Sequence, residues 1–150
     1  MDILRRNTDH ALRLMVGLAS RGDEVAVATR VLAGEQDVPY QLACKLMQQL
    51  RAAKLVSSRM GPKGGFRLEQ AADSISLLDV VGAVQGPLSL NRCLLNDACC
   101  SRRDVCPVRA RMGELQSRME EYLGSVTLAD LVRTHEGRDG KKDESVGRME

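Results

Sequence analysis

The chain has 150 residues, of which 43% are hydrophobic, 28% are charged and only three are aromatic, which is typical of a globular protein rich in helices. Its apolar stretches are too short to span a bilayer, and its charged N-terminus lacks the apolar run of a signal peptide, so we expect a cytoplasmic protein. The net charge of +2 is uneven, because residues 1–67 contain 11 Lys and Arg against 6 Asp and Glu, and this favours a polyanionic partner.

The first elements are predicted to form a helix-turn-helix. Apolar residues recur at spacings of three and four over residues 8–20, which predicts an amphipathic helix, and the VAV at 25–27 indicates a short strand or extended segment. A helix over 29–35 is expected to turn Val31 and Leu32 inward. Pro39 opens the next helix, 39–53, which has an apolar face and a Gln- and Lys-rich face. Two helices joined by a short turn are typical of this DNA-binding motif.

A wing is predicted directly after the helix-turn-helix. Two short strands flank the glycine-rich turn at 61–65, and this hairpin carries Arg59, Lys63 and Arg67, which are placed to contact phosphates or a minor groove. The polar face of the second helix is expected in the major groove, where Gln can pair with adenine and Lys can donate to guanine. The predicted DNA-binding residues are Thr29, Tyr40, Gln41, Lys45, Gln48, Arg59 and Lys63.

The second half of the chain is predicted to contain a helix, a cysteine loop and a dimerisation helix. Ser76 and Asp79 form a weak capping box for a helix over 75–84. In 108–124, apolar residues alternate at spacings of four and three, which indicates a coiled-coil-like seam: Val108, Met112, Leu115, Met119 and Tyr122. We therefore predict a mainly α protein with a winged helix-turn-helix domain over 1–85, a cysteine-rich cluster-binding loop over 86–107, a long dimerisation helix over 108–132 and a disordered tail over 133–150.

Four of the five cysteines lie in one short segment, and in a reducing compartment they indicate metal or redox chemistry. Thiolates are soft ligands that suit iron–sulfur clusters or zinc, but the paired knuckles of structural zinc sites are absent. Adjacent side chains point apart, so Cys93, Cys99 and Cys106 are the favoured ligands and Cys100 is not. Zinc and a thiol switch remain alternatives at this point. Cys44 is expected to be a packed helix residue.

Several motifs carry a resemblance to a known family. They are TDHALRLM at 8–15, PYQLACKLMQQLRAAKLVSS at 39–58, MGPKGGF at 60–66, SLLDVVGAVQG at 76–86 and the three spaced cysteines. Over about residues 1–132 the chain resembles the winged helix-turn-helix regulators that include IscR and NsrR. The resemblance implies a homodimeric, DNA-binding repressor. It also implies a 2Fe-2S or 4Fe-4S cluster on Cys93, Cys99 and Cys106 that senses nitric oxide, redox state or iron–sulfur status.

The same resemblance bears on the fourth ligand of the cluster. IscR-like members have a histidine three residues after the last cysteine, where this chain has Arg109, whose guanidinium has no acceptor. NsrR-like members use an aspartate just before the ALR of the first helix, supplied by the partner subunit, and Asp9 occupies that position. His10, expected at the surface, and Cys100 are the alternatives. An aspartate in a first turn is also favoured by the helix dipole alone.

The implied mechanism is a cluster that links the two subunits. A cluster bound by both chains would hold the first helix to the dimer helix, and its loss would shift the two DNA-binding units relative to their half-sites. The alternative function is a cluster-free regulator of the same fold that responds to thiol oxidation or a partner protein. The sequence contains no catalytic constellation, phosphate loop or Cys-x-x-Cys pair, so we expect neither an enzyme nor a small-molecule substrate, and no membrane partner.

Overall fold

The computed structural model describes residues 3–134 and is mainly helical with one small antiparallel sheet. Its elements are α1 (Arg6–Ala19), α2 (Thr29–Glu35), α3 (Tyr40–Ala52), β1 (Val56–Arg59), β2 (Gly65–Leu68), α4 (Leu77–Gln85), α5 (Arg92–Leu95), a 3-10 turn (Asp97–Cys99) and α6 (Pro107–Ser125). Residues 128–134 are helical as well. None of the helices in this part of the chain is long and apolar enough to cross a membrane. Residues 133 and 134, where the predicted disordered tail begins, are helical, and residues 135–150 lie outside the described part of the chain.

The hydrophobic core lies where α1, α3 and α4 pack together. Leu14 and Leu18 of α1, Leu46 of α3 and Val80 of α4 are all at most 1% exposed. Burial of each such side chain contributes about 1.5–3 kcal/mol, so the apolar stripes predicted from their spacing hold the helices together. The prediction for α2 was half wrong: Leu32 is buried, but its neighbour Val31 is 47% exposed.

The wing forms as predicted and is attached to the body of the domain. β1 and β2 pair antiparallel, with Val56 opposite Leu68. The extended segment predicted at 25–27 adds one isolated bridge, between Val27 and Phe66. Gly65 permits this contact, because it has a φ of +147° and a Cβ there would lie 2.2 Å from the carbonyl oxygen of Val27.

Two capping boxes lie side by side and connect the two halves of the chain. The Asp79 amide donates to Ser76 Oγ at 3.1 Å, as predicted for the start of α4, and the Asp130 amide donates to Thr127 Oγ1 at 3.2 Å. Ser76 and Thr127 form an antiparallel bridge. Three hydrogen bonds lower the pKa of the Asp130 carboxyl below its ordinary value. The largest effect comes from the Thr127 backbone, followed by the Thr127 side chain and then Arg133. Each helix start is thereby fixed against the other.

The predicted dimerisation helix keeps its apolar side uncovered in the single chain. α6 spans 19 residues and has no buried residue. Along the predicted seam Val108, Leu115 and Tyr122 are 59%, 51% and 67% exposed, and Met112 and Met119 are half-buried. A second copy is one way to cover this side, and the dimer stays a prediction.

Candidate functional site

The second helix of the helix-turn-helix presents the predicted polar face to solvent. Ala43, Leu46, Met47 and Leu50 of α3 are buried against the core. The opposite side therefore points outward, and the predicted contact residues on it are all exposed: Tyr40, Gln41, Lys45 and Gln48. Thr29, at the start of α2, is half-buried. Their contact with DNA stays a prediction.

A ring contact joins the starts of the two helices. The guanidinium carbon of Arg30, the second residue of α2, lies 4.3 Å from the centroid of the Tyr40 ring. This distance is well within the range of a cation–π interaction. Arg30 is absent from the predicted DNA-binding set. Its position directly after Thr29, a predicted contact residue, is the signal in the sequence that could have identified it.

The wing has one fewer available cation than the sequence indicates. Arg59, at the end of β1, and Lys63, in the turn, are exposed as predicted. Arg67 on β2, the third cation considered, forms an ion pair with Glu24 instead. Met60 beside the turn is 94% exposed. The wing therefore offers Arg59 and Lys63 to a polyanion, whereas the charge of Arg67 is partly neutralised.

The cysteine loop is more ordered than a plain loop. Cys93 lies in α5, Cys99 ends the 3-10 turn and Cys106 is the N-cap residue of α6. All are free thiols; Cys93 and Cys106 are half-buried, whereas Cys99 and Cys100 are exposed. Cys44, on α3, is also free and half-buried, in keeping with a packed helix residue.

Two side chains of α6 hold this loop. Arg109 Nε donates to the Cys93 carbonyl oxygen at 3.1 Å, and the Leu90 amide donates to Gln116 Oε1 at 3.3 Å. Arg109, at the position where the resemblance to IscR-like regulators implies a histidine, thus serves as a backbone anchor. Neither contact is evident from sequence spacing, because each joins residues far apart in the chain.

The first turn of α1 contains a small polar network. The Asp9 side chain is 67% exposed and lies 3.3 Å from Arg13 Nη2. His10 is only 7% exposed, so the expectation of a surface histidine was wrong. Its Nδ1 pairs with Arg13, which can only donate, and Nδ1 is therefore the acceptor. Arg13 Nη1 also donates to the Gln36 carbonyl oxygen at the end of α2, at 3.2 Å. The network links Asp9 to the turn of the helix-turn-helix.

The candidate ligands fit an iron–sulfur cluster in chemistry, but they are not assembled within one chain. Three free thiols supply the soft donors that such clusters require. Within residues 3–134, however, no group of three or more His, Cys, Asp or Glu side chains is placed to hold a metal ion. The loop would have to close for Cys93, Cys99 and Cys106 to act together, and a second subunit could then contribute the fourth ligand.

The chain is similar to known transcription regulators. Residues 4–134 match the model of the Rrf2 family, described as an iron-dependent transcriptional regulator. The protein rrf2 of Nitratidesulfovibrio vulgaris is 32% identical over 130 residues, which are 87% of each chain. The regulator IscR of Xenorhabdus nematophila is 30% identical over 87% of this chain and 79% of its own length.

Solved structures share the fold. CymR (YrzC), the global cysteine regulator of B. subtilis, superimposes with a TM-score of 0.76 at 24% identity, over 89% of this chain and 98% of its own. IscR of T. potens gives a TM-score of 0.72 at 23% identity, over 87% and 86%. At these identities the likeness concerns the fold alone.

Proposed function

Because the chain belongs to the Rrf2 family of transcription regulators, we propose that it is a homodimeric repressor whose DNA binding is controlled by an iron–sulfur cluster. Membership confirms the resemblance to the regulators that include IscR. At the coarser level the chain is a DNA-binding transcription regulator, as its relatives are, and not an enzyme. The cluster, the dimer and the individual contact residues are the finer parts of the proposal.

The DNA-binding half of the proposal rests on the exposed faces of α3 and the wing. Gln41, Lys45 and Gln48 lie on one exposed side of a helix that is otherwise packed into the core, which suits insertion into a major groove. Arg59 and Lys63 flank it on the wing and suit phosphate or minor-groove contacts. A dimer through α6 would present two such units to half-sites about one helical turn apart.

The observation that supports the cluster half is the presence of free thiols at Cys93, Cys99 and Cys106, the soft donors that an iron–sulfur cluster requires. Arg109, three positions after Cys106, bonds the Cys93 carbonyl oxygen instead, and its guanidinium has no lone pair to offer iron. We assign the cluster to Cys93, Cys99 and Cys106, with Asp9 of the partner subunit as the fourth ligand. A bound cluster supplies an iron centre that reacts with nitric oxide and oxidants. The exposure of Asp9 leaves its carboxylate accessible to another chain.

The chain's own residues offer a route from the fourth ligand to the DNA-binding unit. Asp9 pairs with Arg13, and Arg13 bonds the Gln36 carbonyl oxygen in the turn before α3. A change in what Asp9 binds alters the position of Arg13 and hence its hold on that turn. The distance between the two DNA-binding units is sensitive to such shifts, because operator half-sites have a fixed spacing.

The experiment that tests the proposal is anaerobic purification followed by iron and sulfide counting and an absorption spectrum. Three single variants, Cys93→Ser, Cys99→Ser and Cys106→Ser, should each lose the cluster. Cys44→Ser and Cys100→Ser are matched controls and should retain it. A colourless, iron-free wild-type protein that binds DNA with full affinity would contradict the proposal, as would equal iron loss in both controls.

The fourth ligand needs its own comparison. Asp9→Ala should leave the fold intact and make the cluster labile, whereas Asp73→Ala, at another exposed aspartate, should not. The rate of absorbance loss in air measures the difference. Equal cluster stability in Asp9→Ala and wild type would move the ligand role to His10 or Cys100.

A second candidate function is favoured by the exposure of the adjacent thiols Cys99 and Cys100. A cluster-free regulator would respond to oxidation of these thiols, since accessible cysteines are the ones that oxidise. Iron-free protein should then change its affinity for DNA on treatment with peroxide and recover with a reducing thiol. If iron-free protein does not respond and cluster-loaded protein does, this alternative is wrong.

A further inference from the structure

The geometry points to Arg30 as a DNA-phosphate contact that Tyr40 holds in position beside the recognition helix α3. The inference rests on the DNA binding of the proposed function and is independent of the cluster. The guanidinium carbon of Arg30 lies over the Tyr40 ring, 4.3 Å from its centroid. These residues stand at the starts of α2 and α3, so the contact spans the helix-turn-helix at one end.

The environment of Arg30 leaves its donors free for an external acceptor. The Arg30 side chain is exposed. Within residues 3–134 it contacts the Tyr40 ring and forms no hydrogen bond or ion pair. Two other arginines of this domain have acidic partners instead, Asp9 for Arg13 and Glu35 for Arg21. A guanidinium has five N–H donors, and its attraction to the ring face is electrostatic and leaves donors available for hydrogen bonds.

Phosphate is the acceptor that best fits this position. In a helix-turn-helix the first helix crosses the DNA backbone while the second enters the major groove. Arg30 is on that first helix, and a planar guanidinium binds phosphate oxygens through two parallel hydrogen bonds. The stack limits the rotamers of a long side chain before DNA arrives, so less conformational freedom is lost on binding.

This arrangement changes the role expected for Tyr40. The residue is 39% exposed, and the Arg30 guanidinium lies over one face of the ring. Tyr40 is therefore a positioning residue for Arg30 and not primarily a reader of bases. The ring should matter for this role and the hydroxyl should not.

The test measures the affinity of the full-length protein, purified anaerobically, for a mixed-sequence DNA duplex over a range of KCl concentrations. Arg30→Gln should lower the slope of log affinity against log salt by about one unit, the value for one lost phosphate contact. Arg30→Lys should keep the slope and lose affinity several-fold, because it keeps the charge without the planar fork. Arg133→Gln, at an exposed arginine after α6, is the charge-matched control and should keep the wild-type slope.

A double-variant cycle tests the role of Tyr40. Tyr40→Leu should weaken binding several-fold in the wild-type background and have little effect in Arg30→Gln, because the two residues act together. Tyr40→Phe keeps the ring and should bind as wild type does. Circular dichroism confirms the fold of each variant.

Three results would overturn the inference. They are an unchanged slope in Arg30→Gln, an equal cost of Tyr40→Leu in both backgrounds, or a cost of Arg30→Gln that changes between duplexes differing at a single base pair, which would indicate a base contact. Failure of the wild type itself to bind duplex DNA would instead contradict the proposed function.

Discussion

Thr8 Oγ1 donates a hydrogen bond to Gln85 Oε1 across 2.7 Å, which fastens the first turn of α1 to the last residue of α4. The same oxygen accepts from the Arg5 amide at 3.0 Å, and Gln85 Nε2 donates to the Ile3 carbonyl oxygen at 2.9 Å. Arg5 is the N-cap residue of α1 and makes no side-chain cap. Gln85 thus caps α1 from another helix. Since it directly precedes the cysteine loop, it also connects the start of that loop to the turn that carries Asp9.

Gln85→Ala should release this turn. Thr8 is fully buried, and a buried hydroxyl left without a partner costs about 1–3 kcal/mol in the free energy of unfolding. We expect a loss of that order in chemical denaturation, faster amide exchange over residues 5–9 and faster loss of any bound cluster. Gln70→Ala is the matched control, since Gln70 is exposed and bonds only the Lys54 carbonyl oxygen. Unchanged exchange in the first turn of α1 would contradict the capping role.

Arg109→His tests the assignment of the fourth ligand by adding a ligand, whereas Asp9→Ala removes one. It places an imidazole three residues after Cys106, where the resembling IscR-like regulators have their histidine. If Asp9 is the fourth ligand, Asp9→Ala should shorten the lifetime of the cluster by at least about tenfold, and adding Arg109→His should restore much of it. The decay of visible absorbance in air measures both effects.

Arg109→Ala is the control for this rescue, because it removes the bond to the Cys93 carbonyl oxygen without offering a ligand. It should not rescue Asp9→Ala. Equal rescue by both substitutions would mean that release of the loop, and not iron ligation, explains the effect.

Local sequence patterns predicted those parts of the fold that depend on neighbouring residues. The spacing of apolar residues located α1 and α3 to within two residues at each end, and the bounds of α2 were predicted as they stand. The capping residue Ser76 was predicted correctly for the same reason, since a capping box spans only four consecutive positions.

Contacts between distant segments could not be predicted in this way. His10 is buried because α1 packs its first turns against the domain and Arg13 reaches the end of α2. α5 has only four residues, too few for a helical period to be visible. The roles of Arg109 and Gln85 depend on tertiary contacts, so the sequence could indicate the ligand types of the site but not what supports them.

Lys63→Ala should weaken binding to all duplex sequences by a similar factor. Lys63 is exposed in the turn of the wing, and a phosphate contact carries no sequence information. The slope of log affinity against log salt should fall by about one unit. Arg133→Ala, in the helical segment after α6, should not change the slope. An unchanged slope in Lys63→Ala would remove this residue from the interface.

Asp130→Asn should lower thermal stability at neutral pH. The hydrogen bonds from Thr127 and Arg133 lower the folded-state pKa of Asp130 below its ordinary 3.8. The stabilisation is therefore present above that value and is lost as pH falls through the lowered pKa. Tm should be lower than that of wild type at pH 7, and the difference should vanish in strong acid. Asp73→Asn is the control, and an Asp130→Asn deficit that is independent of pH would contradict the charge-based explanation.

Leu115→Glu tests whether α6 is the dimer interface. Leu115 is 51% exposed at the centre of the apolar seam, and a charge there would have to be buried without a partner in a dimer, which is costly. Sedimentation should show a monomer, and operator affinity should fall by about 100-fold because the two DNA-binding units are no longer linked. Ser117→Glu adds the same charge at an exposed position outside the seam and should leave the dimer intact. A Leu115→Glu protein that still sediments as a dimer would place the subunit contact elsewhere on the chain.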